Sequence, residues 1–216
     1  MQQAEVTNEK FLSTLSSSLH GLAQPLSIIH GYLEISLLKA TSVEQYRELI
    51  EKMLQESRRA TGIAQFVAQL TRFQHPAPDV KEVMVSSVVT GAIEDMSRVF
   101  ERAQIELLFR HPEEERPVRI SPVRLRQVIF YILEVIRTVS VAGDVIWLEL
   151  APEDDHLNFQ IRRESNSGQA SKVIPSIEEN NGNRALALAD AIISNAGGTF
   201  VGSLEPLSIR AEFPTS

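Results

Sequence analysis

The chain has 216 residues, 43% of them hydrophobic, a formal net charge of -7 and no cysteine. That length and apolar content suit one large or two small globular domains with a genuine core. The acidic balance argues against nucleic acid, whose phosphates demand clustered Lys and Arg, and against anionic membrane surfaces, while the missing cysteine excludes disulfides, thiol catalysis and Cys-ligated zinc. No apolar run approaches the roughly 18 residues that mark a membrane span. The opening Met1-Gln2-Gln3-Ala4-Glu5 lacks the charged and apolar regions of a signal peptide. The expectation is a cytoplasmic protein.

The first third reads as two long helices. Leu12, Leu15, Leu19, Leu22, Leu26, Ile29 and Leu33 repeat at alternating spacings of three and four, a heptad seam. A second helix is announced twice, by Thr41 with Glu44 and by Ser42 with Gln45, each shaped like a capping box. Its seam is Tyr46, Ile50, Met53, Ser57, Ala60, Ala64 and Val67. The short link at Lys39-Ala40-Thr41 makes the pair antiparallel. Phe11, Ile28, Tyr32, Leu49, Leu54 and Ile63 widen both apolar faces beyond what one hairpin can bury. A homodimer through the hairpin, forming a four-helix bundle, accounts for that width; packing on the chain's own second domain is the alternative.

Gln74-His75-Pro76-Ala77-Pro78 breaks the helix and marks a linker, so the domains are expected at 1–77 and 78–216. Glu82–Val85 reads as a strand and Ser86–Ala103 as a helix. Strands at Ile105–Arg110 and Pro117–Ile120 flank the acidic turn Pro112-Glu113-Glu114-Glu115. Pro122–Val139 is a helix with proline in its first turn. Asp144–Leu150 and Leu157–Arg163 form a hairpin across Pro152-Glu153-Asp154-Asp155. Glu164–Asn181 is polar and irregular, and Asn183–Asn195 is a helix closed by Gly197-Gly198. Thr199–Leu204 and Ser208–Phe213 end the chain as strands. Helices interspersed with hairpin-linked strands predict a mixed sheet covered by helices on one face, so the whole is α+β.

His20 follows the seam residue Leu19, at the edge of the apolar stripe where a ring nitrogen meets solvent, and Pro25 stands five residues on, inside the helix. The stretch His20-Gly21-Leu22-Ala23-Gln24-Pro25-Leu26 resembles the phosphoacceptor helix of two-component histidine kinases: histidine, four residues, proline, then an apolar residue on the first helix of a dimeric hairpin. The resemblance implies that His20 takes a phosphoryl group on a ring nitrogen and exchanges it with an aspartate of a response-regulator receiver domain, which brings its own magnesium and lysine. It also implies that Gln24 orients a water for receiver dephosphorylation; a solvated surface glutamine is the plainer alternative. In that family an acidic residue usually follows the histidine, and Gly21 replaces it here, which weighs against autophosphorylation but not against transfer. His30, His75, His111 and His156 share no metal-ligand spacing, so no metal site is expected.

The second domain resembles the ATP-binding domain of the same kinases, a mixed-sheet α/β sandwich. Arg124-Leu125-Arg126-Gln127-Val128 matches the start of its first ATP-site helix. The asparagine that would hold magnesium falls at Val135, which offers no oxygen to a hard cation. The family's Asp-x-Gly-x-Gly corresponds to Glu164-Ser165-Asn166-Ser167-Gly168. Its last glycine-rich box, where a helix N-terminus binds phosphate, corresponds to Gly182-Asn183-Arg184-Ala185-Leu186-Ala187-Leu188. Gly168 and Gly182 then read as plain loop glycines. Scaffold residues fit and ligand residues do not, so no nucleotide cofactor is expected. The leading reading is a phosphorelay phosphotransferase; a divergent kinase core that phosphorylates His20 from ATP and a non-catalytic pseudokinase scaffold are the alternatives.

Overall fold

The computed structural model describes residues 2–39, 42–165, 176–204 and 206–215. They fall into two compact units, Met1–Arg72 and Phe73–Ser216. The elements run α1 (Gln2–Lys39), α2 (Val43–Gln74), β1 (Lys81–Val83), α3 (Val85–Ala103), β2 (Glu106–Arg110), β3 (Val118–Ile120), α4 (Pro122–Val139), β4 (Asp144–Glu153), β5 (His156–Ser165), α5 (Ser176–Asn195), β6 (Thr199–Ser203) and β7 (Ser208–Pro214). This is the order the sequence predicts.

In the first unit, Ser42 caps α2: its Oγ accepts from the Gln45 amide at 3.2 Å. The companion pair headed by Thr41 lies outside the described residues. The heptad seam of α1 separates into two lines. Phe11, Leu15, Leu22, Pro25, Ile28, Ile29, Tyr32 and Ser36 are half-buried or buried, whereas Leu12, Leu19, Leu26 and Leu33 are 46% to 53% exposed. On α2 the sheltered line is Leu49, Met53, Glu56, Ala60, Ile63, Phe66 and Leu70, and Tyr46, Ile50 and Leu54 face outward. The seam expected on α2 is therefore shifted toward its flank. A heptad gives two lines of apolar residues per helix, and one neighbouring helix covers only one of them.

The second unit is built on a five-stranded sheet in the order β2-β4-β5-β7-β6. β2 pairs parallel with β4 and the other neighbours are antiparallel. Ile146, Leu148 and Leu150 of β4, Leu157, Phe159 and Ile161 of β5, and Ile209, Ala211 and Phe213 of β7 are buried on one face. The register stacks them into rows, such as Leu150, Phe159 and Ala211. α3, α4 and α5 form the second layer, with α4 in the middle packing against both others. The opposite sheet face is polar. Arg162 pairs with Glu149 at 2.9 Å, and Arg210 with Glu153 and Glu212.

Local chemistry explains the ends of these elements. α3 has no side-chain cap of its own at Met84. Glu115 of the acidic turn supplies one, accepting from the amides of Val85 at 2.6 Å and Ser86 at 3.2 Å. Ser121 caps α4 through the Arg124 amide, with Pro122 in the first turn. The β4–β5 turn is tighter than expected, because Asp154 adopts a φ of 44° and Glu153 already pairs with His156. At the end of α5 the two glycines do different jobs. Gly197 takes a φ of 83°, and a Cβ on Gly198 would lie 2.3 Å from the Glu212 carbonyl oxygen.

One element departs from expectation. α5 starts at Ser176, not Asn183, so part of the stretch expected to be irregular is helical. Gly182 thus lies inside a helix, buried, with its Cα facing Leu204. It is not a loop glycine. A Cβ there would meet the Leu204 methyls at 3.1 and 3.3 Å, a tight contact that the leucine side chain would have to relax. Gly168 and its neighbours lie outside the described residues.

The linker belongs physically to the second unit. Phe73 is buried. Its carbonyl accepts from Asn195 Nδ2 at 2.5 Å, the His75 carbonyl accepts from Arg124 Nη2 at 2.7 Å, and the Arg124 guanidinium stands 5.6 Å over the Phe73 ring. Orphan carbonyls at the end of a helix need donors, and these side chains provide them. The compact units divide between Arg72 and Phe73, whereas the sequence places the domain boundary after Ala77.

Candidate functional site

His20 is exposed on α1, next to the outward Leu19. Gln24 is exposed four residues on, which places the two side chains one turn apart on the same flank. Pro25 is buried within α1, and the helix continues through it to Lys39. Proline has no amide hydrogen, so the Gly21 carbonyl, one turn earlier, loses its ordinary helical donor. Gly21 itself has open space where a Cβ would go, with no atom within 4 Å. Nothing steric requires glycine after His20.

Sequence reasoning passed over two residues of this flank. Arg59 of α2 donates from Nη2 to Gln24 Oε1 at 3.4 Å. Its Nη1 faces Glu56 Oε2 at 3.7 Å, across an i,i+3 pair on the same helix. That Glu56 oxygen is buried and has no hydrogen-bond partner. The order His20, Gln24, Arg59, Glu56 therefore sets a polar strip on the hairpin with a guanidinium at its centre. The only signal in the sequence was the Glu56–Arg59 spacing, which does not say what lies opposite.

In the second unit the residues matched to the nucleotide boxes are turned to structural work. Val135 is 1% exposed on α4, among the buried Ile132, Leu133, Ile136 and Val139. Glu164 lies on the polar face of the sheet, opposite Val145 in register, and its Oε2 accepts from the Trp147 indole at 3.0 Å. The rest of that box, from Asn166 on, lies outside the described residues. Gly182 is inside α5, where backbone amides bond within the helix instead of pointing at a ligand. Among the described residues there is no group of three or more His, Asp or Glu arranged to hold a metal, and no helix is long and apolar enough to cross a membrane.

No protein-family profile and no curated protein matches the sequence. Solved structures do match the fold. The histidine kinase AdeS of Acinetobacter baumannii superposes with a TM-score of 0.57 at 17% identity, covering 91% of this chain and 97% of that one. A histidine kinase from Burkholderia phymatum STM815 gives 0.52 at 13% identity, over 93% of this chain and 97% of that one. Full-length ShkA, solved with AMPPNP, gives 0.53 at 16% identity over 94% of this chain and 46% of its own length. The chain has the fold of a histidine-kinase core: a helical hairpin followed by an ATPase-type α/β domain with a mixed sheet.

Proposed function

We propose that this chain is a bacterial phosphorelay protein in which His20 accepts a phosphoryl group from a receiver-domain aspartate and passes it to another, without ordinary ATP binding. The observation that carries the reading is the contrast between the two units. The hairpin presents an exposed histidine with proline five residues on, whereas Val135 and Gly182, at the ligand positions of the kinase fold, are buried in the core. A phosphotransferase needs the first feature and not the second.

The chemistry asks little of the protein beyond positioning. A neutral imidazole nitrogen of His20 attacks the phosphorus of the acyl phosphate. The N–P bond forms as the bond to the aspartate oxygen breaks, and the aspartate leaves as a carboxylate. The ring becomes a phosphorylated imidazolium that sheds its other nitrogen-bound proton to solvent or keeps it for the return step. Exposure of His20 lets an entire receiver domain approach. Gln24, one turn away, faces the same docked partner and is the candidate for water orientation.

The outward line Leu12, Leu19, Leu26 and Leu33 supports a homodimer. Four leucines at strict heptad spacing form an unpartnered seam, and a second hairpin completes a four-helix bundle. A cytoplasmic location follows from the receiver partners.

The test is an incubation series with wild type and H20A. Each is mixed with radiolabelled Mg-ATP alone, then with phosphorylated receiver domains. Label reaching wild type but not H20A, and only from the phospho-receiver, is the expected result. Label from ATP alone assigns a kinase, the reading that the ShkA match with AMPPNP favours. Label from neither, across a panel of receivers, leaves a non-catalytic scaffold.

A further inference from the structure

The polar strip beside His20 holds a cation that the transfer scheme above does not use. The Arg59 guanidinium offers five N–H donors and no acceptor, in a geometry matched to phosphate oxygens. It contacts Gln24 Oε1 at 3.4 Å and Glu56 Oε2 at 3.7 Å, both long separations. Its side chain is 42% exposed, so it turns without disturbing the core. Gln24 stands one helical turn from His20, about 5–6 Å between Cβ atoms. A phosphoryl group on the His20 ring would add oxygens on that same flank, one turn from the Gln24 that Arg59 contacts, and an arginine side chain has the length and freedom to span such a step.

We infer that Arg59 is the counter-cation of phosphorylated His20: it leaves Gln24 and Glu56 to donate to the phosphoryl oxygens once the group has arrived. The assignment rests on the reading of His20 as phosphoacceptor. Glu56 has a complementary part. Its buried, unbonded oxygen holds the guanidinium near the strip and offsets its charge in the resting state. When two negative charges appear on His20, the balance tips toward the phosphoryl group, because a dianion with three acceptor oxygens attracts the guanidinium more strongly than the neutral Gln24 amide and the single Glu56 charge 3.7 Å away. Arg59 is thus a positioning residue for the acceptor, carried by the second helix of the hairpin and not by the first.

Phosphoramidate phosphorylates histidine directly and tests this without any receiver. Wild type, R59A and R59K are treated with it, H20A serves as the blank for other histidines, and the phosphohistidine is titrated by ³¹P NMR. A neighbouring cation favours the dianionic phosphoryl form. R59A is therefore expected to titrate higher than wild type by roughly half a pH unit, with R59K between them. Label acceptance from a phospho-receiver is expected to fall about ten-fold in R59A and to recover in part in R59K. Coincident titration curves for wild type and R59A would overturn the assignment, whatever the receivers do. Failure of wild type to take label from any receiver would instead overturn the proposed function while the titration still reports on Arg59. Circular dichroism melting of all four proteins separates an electrostatic effect from a loss of fold.

Discussion

Val135→Asn installs the asparagine that the resemblance to kinase ATP-binding domains places there, and in this structure that amide would be buried in an apolar core. Val135 is 1% exposed on the central helix of the second unit. Asparagine has a similar volume, so no large cavity or overlap results. The cost is chemical. Burial of the valine side chain contributes about 1.5–3 kcal/mol. An amide left in its place without hydrogen-bond partners costs a further 1–3 kcal/mol, roughly. Together these amount to about 2.5–6 kcal/mol, against a typical domain stability of about 5–15 kcal/mol. With a urea m-value of about 2 kcal/mol per molar, the midpoint should fall by about 2 M. Trp147, the single tryptophan, lies on β4 of the same unit and reports its unfolding by fluorescence. If the position instead opened onto a hydrated phosphate pocket, the substitution would cost little. A midpoint shift under about 0.5 M, or a new thermal stabilisation of V135N by Mg-ATP, would refute the reasoning.

Further expectations follow from single contacts. Gly198→Ala drives a methyl to 2.3 Å from the Glu212 carbonyl oxygen and 2.8 Å from Ile193 Cγ2, so its melting temperature should fall by ten degrees or more, roughly, at a cost of at least ~3 kcal/mol. Glu115→Ala removes the carboxylate that caps α3 and should cost about 1–2 kcal/mol in urea unfolding, with Gln at the same position recovering part of it. Leu19→Glu with Leu26→Glu should leave helicity intact and convert a sedimenting dimer to monomer; an unchanged sedimentation coefficient counts against the hairpin seam. Burial raises the Tyr131 phenol above its usual value of 10.0. The fold therefore favours the neutral form, that contribution is present below pH 10 and is lost as pH rises through the raised pKa, and Y131F should remove a late component of the absorbance titration at about 295 nm.

Much of the fold was legible because its signals are local. The capping box at Ser42, proline at Pro122 and the glycine pair at Gly197 and Gly198 each act within a few residues, and each does what its chemistry predicts. The start of α5 was not legible for the converse reason. Ser176-Ile177-Glu178-Glu179-Asn180-Asn181 has no apolar stripe, and Gly182 imitates a helix opening until Leu204 is seen against it. Nor does a heptad seam say which of its two lines faces the chain's own second helix. Leu15, Leu22 and Ile29 are sheltered, Leu12, Leu19 and Leu26 are not, and nothing in the spacing distinguishes them. Nothing in the acidic turn itself marks Glu115 as a helix cap, yet it reaches α3 from thirty residues away in sequence.

The same distinction bears on the site. His20 and Gln24 lie on one helix, so their alignment is a matter of helical period and could be read directly. Arg59 reaches Gln24 only through the register of α1 against α2, which is set by packing along the whole hairpin. A resemblance confined to the first helix therefore points to His20 as the proposed phosphoacceptor and misses the guanidinium beside Gln24. The second unit shows the reverse. There the resemblance marks ligand residues as changed, and the structure shows what surrounds three of those positions: Val135 fills the core, Glu164 holds Trp147 on the outer sheet face, and Gly182 packs against Leu204. Each replacement adds to packing or to hydrogen bonding. On the proposed reading, in which His20 receives phosphate from outside the chain, the second unit needs packing at these positions and not a nucleotide.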